Sequence, residues 1–198
     1  MHKQAWYIIN GITLYRVVAA PFLLVLLITG QYMPFKWLLL ASFFTDFIDG
    51  FLARRYKVTS VAGTKLDSIG DDLTVLVAMV GLFVMMPEFI NKEKYVFILL
   101  LILFLGEVSY AIFRYRKMTS FHTYLAKAAA ILQGLFLLFT FFTGQPVYVL
   151  FYAAVFITAL ELLEEILLIR LLPVWETNIS GLYWVLRRKK KERGGHTI

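Results

Sequence analysis

The five aspartates of this 198-residue chain all lie between Asp46 and Asp72. Around them the sequence is strongly apolar, with 60% hydrophobic residues and only 17% charged residues. A soluble domain carries about 25% charged residues, so this composition predicts an integral membrane protein. A carboxylate is costly to place within a bilayer, and an acidic cluster in such a chain therefore predicts a functional site.

Six apolar stretches, separated by polar turns, are predicted to be transmembrane helices. They cover residues 12–30, 35–54, 68–87, 95–115, 122–143 and 146–169. The predicted fold class is all-α, a single domain over residues 1–198 built as a six-span bundle with a cytoplasm-facing active-site cleft. Residues 1–10 are predicted to be interfacial, and residues 174–198 to form a short interfacial helix, near Trp175–Leu186, and a basic tail. The first span has no small-residue cleavage site, so we expect it to be retained.

Lysine and arginine are distributed very unevenly among the connections. Seventeen lie on the side that holds both termini and the aspartates, and three (Lys36, Lys92 and Lys94) lie on the other side. Cytoplasmic connections carry the excess of Lys and Arg, so both termini and the aspartates are predicted to be cytoplasmic. The chain has no cysteine, so neither a disulfide nor a thiolate metal site can form.

Four of the aspartates fall at helical spacings beside small residues. Positions i, i+3, i+4 and i+7 share one face of a helix. Two segments follow this series: Asp46, Asp49, Gly50 and Ala53 in the first, and Asp67, Gly70, Asp71 and Thr74 in the second. Because small residues let a ligand approach the backbone closely, two neighbouring helices would each present two carboxylates to one ligand.

Four adjacent carboxylates need compensating positive charge. Two like charges about 4 Å apart repel by about 4 kcal/mol at an effective dielectric constant near 20. Two divalent cations would balance the four charges, and oxygen ligands favour Mg²⁺ or Mn²⁺. A pair of such ions can orient phosphate oxygens, and Arg54 and Lys65 would add positive charge for a pyrophosphate. The alternative is a salt-bridge network with Arg54, Arg55 and Lys57, which the fixed spacing of the motif disfavours.

Eight residues complete the pattern D-x2-D-G-x2-A-R-x8-G-x3-D-x3-D without a gap or a substitution. They are Asp46, Asp49, Gly50, Ala53, Arg54, Gly63, Asp67 and Asp71. In this pattern the chain resembles the class I CDP-alcohol phosphatidyltransferases. The segment with Asn10, Thr13 and Arg16, followed by Pro21, is similar to the N-x-x-T-x-x-R…P entry segment of that family.

The resemblance implies transfer of a phosphatidyl group from CDP-diacylglycerol to an acceptor hydroxyl, with release of CMP. It implies that Asp46, Asp49, Asp67 and Asp71 bind two Mg²⁺ or Mn²⁺ ions, and that Asp71 is also the catalytic base. The residues implied at the CDP moiety are Gly50, Ala53, Arg54 and Gly63, with Asn10, Thr13 and Arg16 at its nucleotide end.

Glycerol 3-phosphate is the narrowly preferred acceptor. Lys127, followed by Gln133, resembles in part the G-K-x-K-T…Q region of glycerophosphate-type members. The candidate acceptor-binding residues are Lys65, Arg114 and Lys127. Ser68 instead fits the D-S-x-x-D-R sequence of inositol-type members, and Asp72 fits neither subgroup. An inositol phosphate, another polyol or a lipid alcohol therefore stays open as the acceptor.

The resemblance also implies a homodimer in contact with membrane lipids, in the bacterial inner (plasma) membrane, with no nucleic-acid partner. A divalent-cation transporter is the competing function. A transport pathway would need acidic ligands at several depths, whereas these aspartates lie at one end of two neighbouring spans, so transport is disfavoured.

A second acidic set closes the sixth span. It comprises Glu161, Glu164, Glu165 and Arg170. We interpret it as an intrahelical network at the interface, with a role in substrate binding as the alternative.

Overall fold

The computed structural model of the chain describes residues 2–56, 61–119, 121–177 and 179–194. For residues 2–10, 12–13, 46–47, 49–56, 61–69, 71–72 and 191–194 it describes the backbone alone. All regular secondary structure in this part of the chain is α-helical. The helices are α1 (His2–Ile28), α2 (Tyr32–Tyr56), α3 (Val61–Met85), α4 (Pro87–Tyr115), α5 (Tyr124–Thr143), α6 (Tyr148–Leu171) and α7 (Leu182–Gly194).

The predicted all-α fold class is confirmed, and each of the six apolar stretches forms one of the first six helices. The prediction for the carboxyl-terminal segment was shifted along the sequence. The short helix expected near Trp175–Leu186 begins instead at Leu182 and continues through the basic run to Gly194. Periodic apolar residues extend upstream of Leu182, but Gly181, with φ of 146°, interrupts the helical backbone there.

Among the residues whose side chains the structure describes, two helices are long and apolar enough to cross a membrane. They are α4, with a mean hydropathy of 2.5 over its most apolar window, and α5, with 1.9. The α4 side chains are mostly exposed, including Ile102 and Phe113. An apolar helix that is not covered by the rest of its own chain is suited to contact with lipid or another protein, which agrees with association of the chain with a membrane.

Glycine ends two of the helices. Gly30 follows α1 with φ of 71°, its N–H bonds to Leu27 O, and the N–H of Gln31 bonds to Leu26 O. This pair of bonds is a Schellman motif, which requires a left-handed residue that glycine adopts without strain. Gly144, with φ of 70°, closes α5 with a single bond from its N–H to Thr140 O, which is the αL motif.

The chain divides into two compact units, each with its own core. The first unit consists of residues 1–90 and 137–145. In it α1 packs against α2 and α3, and α2 also packs against α3. Phe35 is fully buried and meets Phe141 edge to face, with the ring centroids 5.6 Å apart. Gly81 leaves room for this pair, since a Cβ atom there would lie 2.8 Å from Phe35 Cζ.

The second unit consists of residues 91–136 and 146–198. Its core is formed by buried residues from α4, α6, α7 and the connecting segments. They are Ala111, Phe121, Leu168, Ile169, Leu172, Ile179 and Val185. This core fixes the carboxyl end of α6 against α7 and the α4–α5 connection.

Candidate active site

The four aspartates of the motif lie on two neighbouring helices of the first unit. Asp46 and Asp49 belong to α2, and Asp67 and Asp71 belong to α3. The helical backbone of both segments is confirmed, so the two positions of each pair share a helix face as the spacing predicts. The contacts of these carboxylates, and those of Gly50, Ala53, Arg54, Gly63 and Lys65, lie outside the described side chains.

Helix α1 approaches the second aspartate pair at Gly70. A Cβ atom on Gly70 would lie 3.4 Å from Arg16 Cβ and 3.8 Å from Arg16 Nε. Arg16 is only 1% exposed, so a guanidinium group is buried within one helical turn of the backbone of Asp67 and Asp71. The structure therefore brings the amino-terminal motif segment to the aspartate motif, as its predicted role at the nucleotide end requires. Asn10 and Thr13 lie on the same helix, with their side chains outside the description.

Thr74, one turn beyond Gly70 on α3, is buried as well. Thr74 is 3% exposed, and its hydroxyl donates to Gly70 O over 2.7 Å. A hydroxyl buried in an apolar helix must find an acceptor, and the preceding turn supplies it. Gly70 thus lies in the contact with α1 and Thr74 is buried one turn further along α3, while Asp67 and Asp71 occupy neighbouring positions of the same i, i+3, i+4 and i+7 series.

The donor chemistry of the motif fits a divalent metal centre. Four carboxylates on two packed helices provide only oxygen ligands, the set that Mg²⁺ and Mn²⁺ prefer. Among the side chains that the structure describes, no three His, Asp or Glu residues form a metal-binding group.

A second polar site lies in the second unit, around Thr119. Its hydroxyl oxygen is 2.8 Å from Glu107 Oε1 and 3.1 Å from Glu165 Oε2. Both carboxyl groups are buried, with residue exposures of 2% and 8%. A hydroxyl has one hydrogen to donate, so Thr119 serves both groups best when one carboxyl is protonated and donates to it.

The acidic set at the end of α6 is organised differently from our interpretation. Glu164 accepts the backbone N–H of Leu182, the first residue of α7, over 2.8 Å. Glu165 contacts Thr119 in the α4–α5 connection. An intrahelical network is therefore wrong for these two residues, because each bonds to a group outside α6. Glu164 accepts a backbone N–H that has no partner within α7, and its negative charge interacts favourably with the positive end of the α7 dipole.

Two of the predicted acceptor-binding residues are described, and the structure gives them different surroundings. Lys127 Nζ lies 5.3 Å from the centre of the Tyr124 ring. Arg114 Nη2 donates to Leu172 O, just beyond the carboxyl end of α6, over 3.2 Å. Arg114 also lines a pocket with Arg188 and Lys189. The sequence contains these two cations in an obvious basic run, but only the packing of α7 on α6 places them beside Arg114.

The family follows from a match that spans most of the chain. The model of the family described as CDP-alcohol phosphatidyltransferase matches residues 6–162. The chain belongs to this family. The match contains the whole aspartate motif together with Arg16, so the resemblance in the motif extends to the surrounding helices.

Several bacterial proteins are similar to one part of this chain. Proteins from Sodalis glossinidius, Pectobacterium atrosepticum and Yersinia pestis are 40%, 43% and 42% identical to it over 76 residues. Each is named CDP-diacylglycerol--glycerol-3-phosphate 3-phosphatidyltransferase. The similarity covers 35% of this chain and 40% of each relative. No solved structure matches the chain significantly.

The bridging role of Thr119 predicts the effect of removing its hydroxyl. In Thr119→Val the buried carboxyl groups of Glu107 and Glu165 lose their shared partner. We expect the free energy of unfolding to fall by about 1–3 kcal/mol, the usual cost of leaving buried polar groups unsatisfied. The thermal unfolding midpoint of the purified protein in detergent measures the change.

Thr119→Ser is the matched control, because it keeps the hydroxyl and removes only a methyl group. It should unfold at a temperature between those of the original protein and Thr119→Val. Equal midpoints for the two variants would show that the hydroxyl bridge contributes nothing to stability.

Proposed function

We propose that this protein transfers a phosphatidyl group from CDP-diacylglycerol to glycerol 3-phosphate and releases CMP. The observation that carries the proposal is the uninterrupted eight-residue motif on the packed helices α2 and α3, inside the family match. The names of the similar bacterial proteins support this pair of substrates. The similarity covers only 40% of the length of those proteins, so the identity of the acceptor is the part of the proposal to test first.

The proposed reaction is a direct displacement at phosphorus. The acceptor oxygen forms a bond to the phosphorus that carries the diacylglycerol, the bond from that phosphorus to CMP breaks, and CMP leaves with the bonding electrons. Asp71 accepts the proton of the acceptor hydroxyl, a role that requires it within hydrogen-bond reach of that group. Phosphoryl transfer depends mainly on positioning and on neutralising charge, and the basic residues implied at the CDP moiety are Arg16 and Arg54.

Four residues would hold the metal in this proposal. They are Asp46, Asp49, Asp67 and Asp71, for two Mg²⁺ or Mn²⁺ ions. Bound there, the ions would neutralise the phosphate charge and stabilise both the attacking and the leaving oxygen. Gly50, Ala53 and Gly63 would let the CDP group approach the backbone, and Asn10 and Thr13 would contact its nucleotide end.

We also propose the membrane arrangement that the charge distribution predicts. Helices α1 to α6 would span the bacterial inner membrane as one domain, with both termini and the aspartates on the cytoplasmic side. The excess of Lys and Arg on that side supports this orientation. Lys65, Arg114 and Lys127 would contribute to the acceptor site, and two copies of the chain would form a homodimer.

An acceptor panel tests the proposed function. The purified protein is supplied with CDP-diacylglycerol, Mg²⁺ and one of glycerol 3-phosphate, inositol 1-phosphate, inositol, glycerol or a phosphatidylglycerol, and CMP release is measured. We expect release to be fastest with glycerol 3-phosphate and to stop when EDTA removes the metal. Faster release with inositol 1-phosphate would overturn the acceptor, and no release with any acceptor would overturn the function.

The two adjacent aspartates at the end of the motif should respond differently to the same change. Asp71→Asn removes the proposed base and a metal ligand, so we expect CMP release to fall by at least about a thousandfold. General base catalysis alone contributes roughly a hundredfold or more, and loss of a metal ligand adds to this. The assay is CMP release from CDP-diacylglycerol with glycerol 3-phosphate.

Asp72→Asn is the control, since it removes the same charge one position outside the motif. We expect it to keep activity within about threefold of the original protein. Circular dichroism and gel filtration check that both variants remain folded. Normal turnover by Asp71→Asn would contradict the base assignment.

A further inference from the structure

The strongest unassigned feature is a cationic pocket in the second unit. It has a volume of about 370 Å³ and lies between the end of α6, the segment that follows it and α7. Its lining consists of Arg114, Leu171, Pro173, Glu176, Arg188 and Lys189. Three cations face one carboxylate, so the pocket carries a net positive charge of about two.

Part of this charge has a structural role. Helix α6 ends at Leu171, and its last carbonyl groups need hydrogen-bond donors. Lys189 Nζ donates to Leu171 O, Arg114 Nη2 donates to Leu172 O, and Tyr115 Oη is 2.8 Å from the same Leu172 oxygen. Cations are also favoured at this negative end of the helix. The uncharged hydroxyl of Tyr115 also satisfies Leu172 O, so capping by itself does not require two full charges.

The single acid of the pocket is already engaged. Arg188 Nη1 and Nη2 each donate to one Glu176 oxygen over 2.9 Å, forming a bidentate ion pair. These bonds hold the pKa of Glu176 below its ordinary value. The described hydrogen bonds use one N–H of Arg114 and one of Lys189. An arginine carries five N–H donors and a lysine carries three. The other N–H groups of Arg114 and Lys189 could donate hydrogen bonds to an anion in the pocket.

The surroundings of the pocket point to a lipid as the source of the anion. Leu182, Val185 and Lys189 form the inward side of α7, whereas Tyr183 and Trp184 are exposed. Aromatic residues of this kind lie at the level of the lipid headgroups, and a helix with one apolar-aromatic side and a basic run lies in the membrane interface. A pocket beside such a helix is placed at headgroup depth.

We propose that this pocket binds the phosphate of an anionic phospholipid headgroup. Arg188 and Lys189 recognise the phosphate, since Arg and Lys form strong charge-assisted bonds to phosphate oxygens. The exposed side of α7 rests in the interface next to the bound lipid. In this proposal the lipid is a bound partner rather than a substrate.

The chain provides a matched pair of double variants for a test. Arg188→Gln with Lys189→Gln removes two pocket charges, while each glutamine keeps an N–H donor. Arg187→Gln with Lys190→Gln removes the same two charges from exposed positions of the same helix. The full-length protein in detergent is titrated with dihexanoyl phosphatidic acid, dihexanoyl phosphatidylcholine and glycerol 3-phosphate, and binding is followed by tryptophan fluorescence.

We expect the pocket variant to bind phosphatidic acid about tenfold more weakly than the original protein, as loss of charged hydrogen bonds implies. The exposed-position variant should change by less than about threefold, and phosphatidylcholine should bind weakly to all three proteins. The affinity for glycerol 3-phosphate should be the same in both variants. No step of the assay requires turnover, so its result is independent of the proposed function.

Three results would overturn the proposal. Equal weakening by the two double variants would show diffuse attraction to the basic helix instead of a pocket. Loss of glycerol 3-phosphate binding by the pocket variant, with phosphatidic acid unaffected, would make the pocket an acceptor site. Unchanged phosphatidic acid binding in every variant would exclude the pocket. If the pocket double variant unfolds at a lower temperature than the original protein, the single variants Lys189→Gln and Lys190→Gln repeat the comparison between a pocket position and an exposed position.

Discussion

The need to satisfy charged groups within apolar helices is the constraint on which this structure depends. Isolated charges are expensive in such surroundings, and the described ones are placed accordingly. Glu93 accepts a hydrogen bond from Tyr152 over 3.0 Å, Glu107 and Glu165 share Thr119, and Glu164 caps α7. These contacts determine where α6, α7 and the α4–α5 connection lie within the second unit.

Charged groups must also be compensated at the aspartate motif, but there we propose that metal ions supply the compensation. The buried Glu93, Glu107 and Glu165 of the second unit each have a hydroxyl partner within the chain. The motif instead concentrates four carboxylates on α2 and α3, beside α1 and the buried Arg16. Like charges this close repel one another strongly, which is the physical reason to propose divalent cations at this site. The family assignment and the charge argument therefore lead to the same chemistry.

Local patterns in the sequence predicted much of the fold and the motif. The existence and order of the six helices followed from the apolar runs, although α1 begins at His2 and α3 at Val61, well before the predicted spans. The faces of α2 and α3 followed from the i, i+3 and i+4 spacing. The partners of Glu164 and Glu165 could not be predicted in this manner. They are 18 and 46 residues distant in sequence, and only the packing of α7 and the α4–α5 connection brings them together. The meeting of Arg114 with Arg188 and Lys189 was missed for the same reason.

Mn²⁺ is a direct probe of the proposed metal binding at the motif. Electron paramagnetic resonance of the purified protein, titrated with Mn²⁺, counts the bound ions and reports coupling between neighbouring ions. We expect two coupled Mn²⁺ ions per chain in the presence of CDP-diacylglycerol. They should be lost in Asp46→Asn with Asp67→Asn and retained in Glu161→Gln with Glu164→Gln. Mn²⁺ binding that survives the aspartate substitutions, or that is lost with the glutamate substitutions, would show that the motif does not hold the metal.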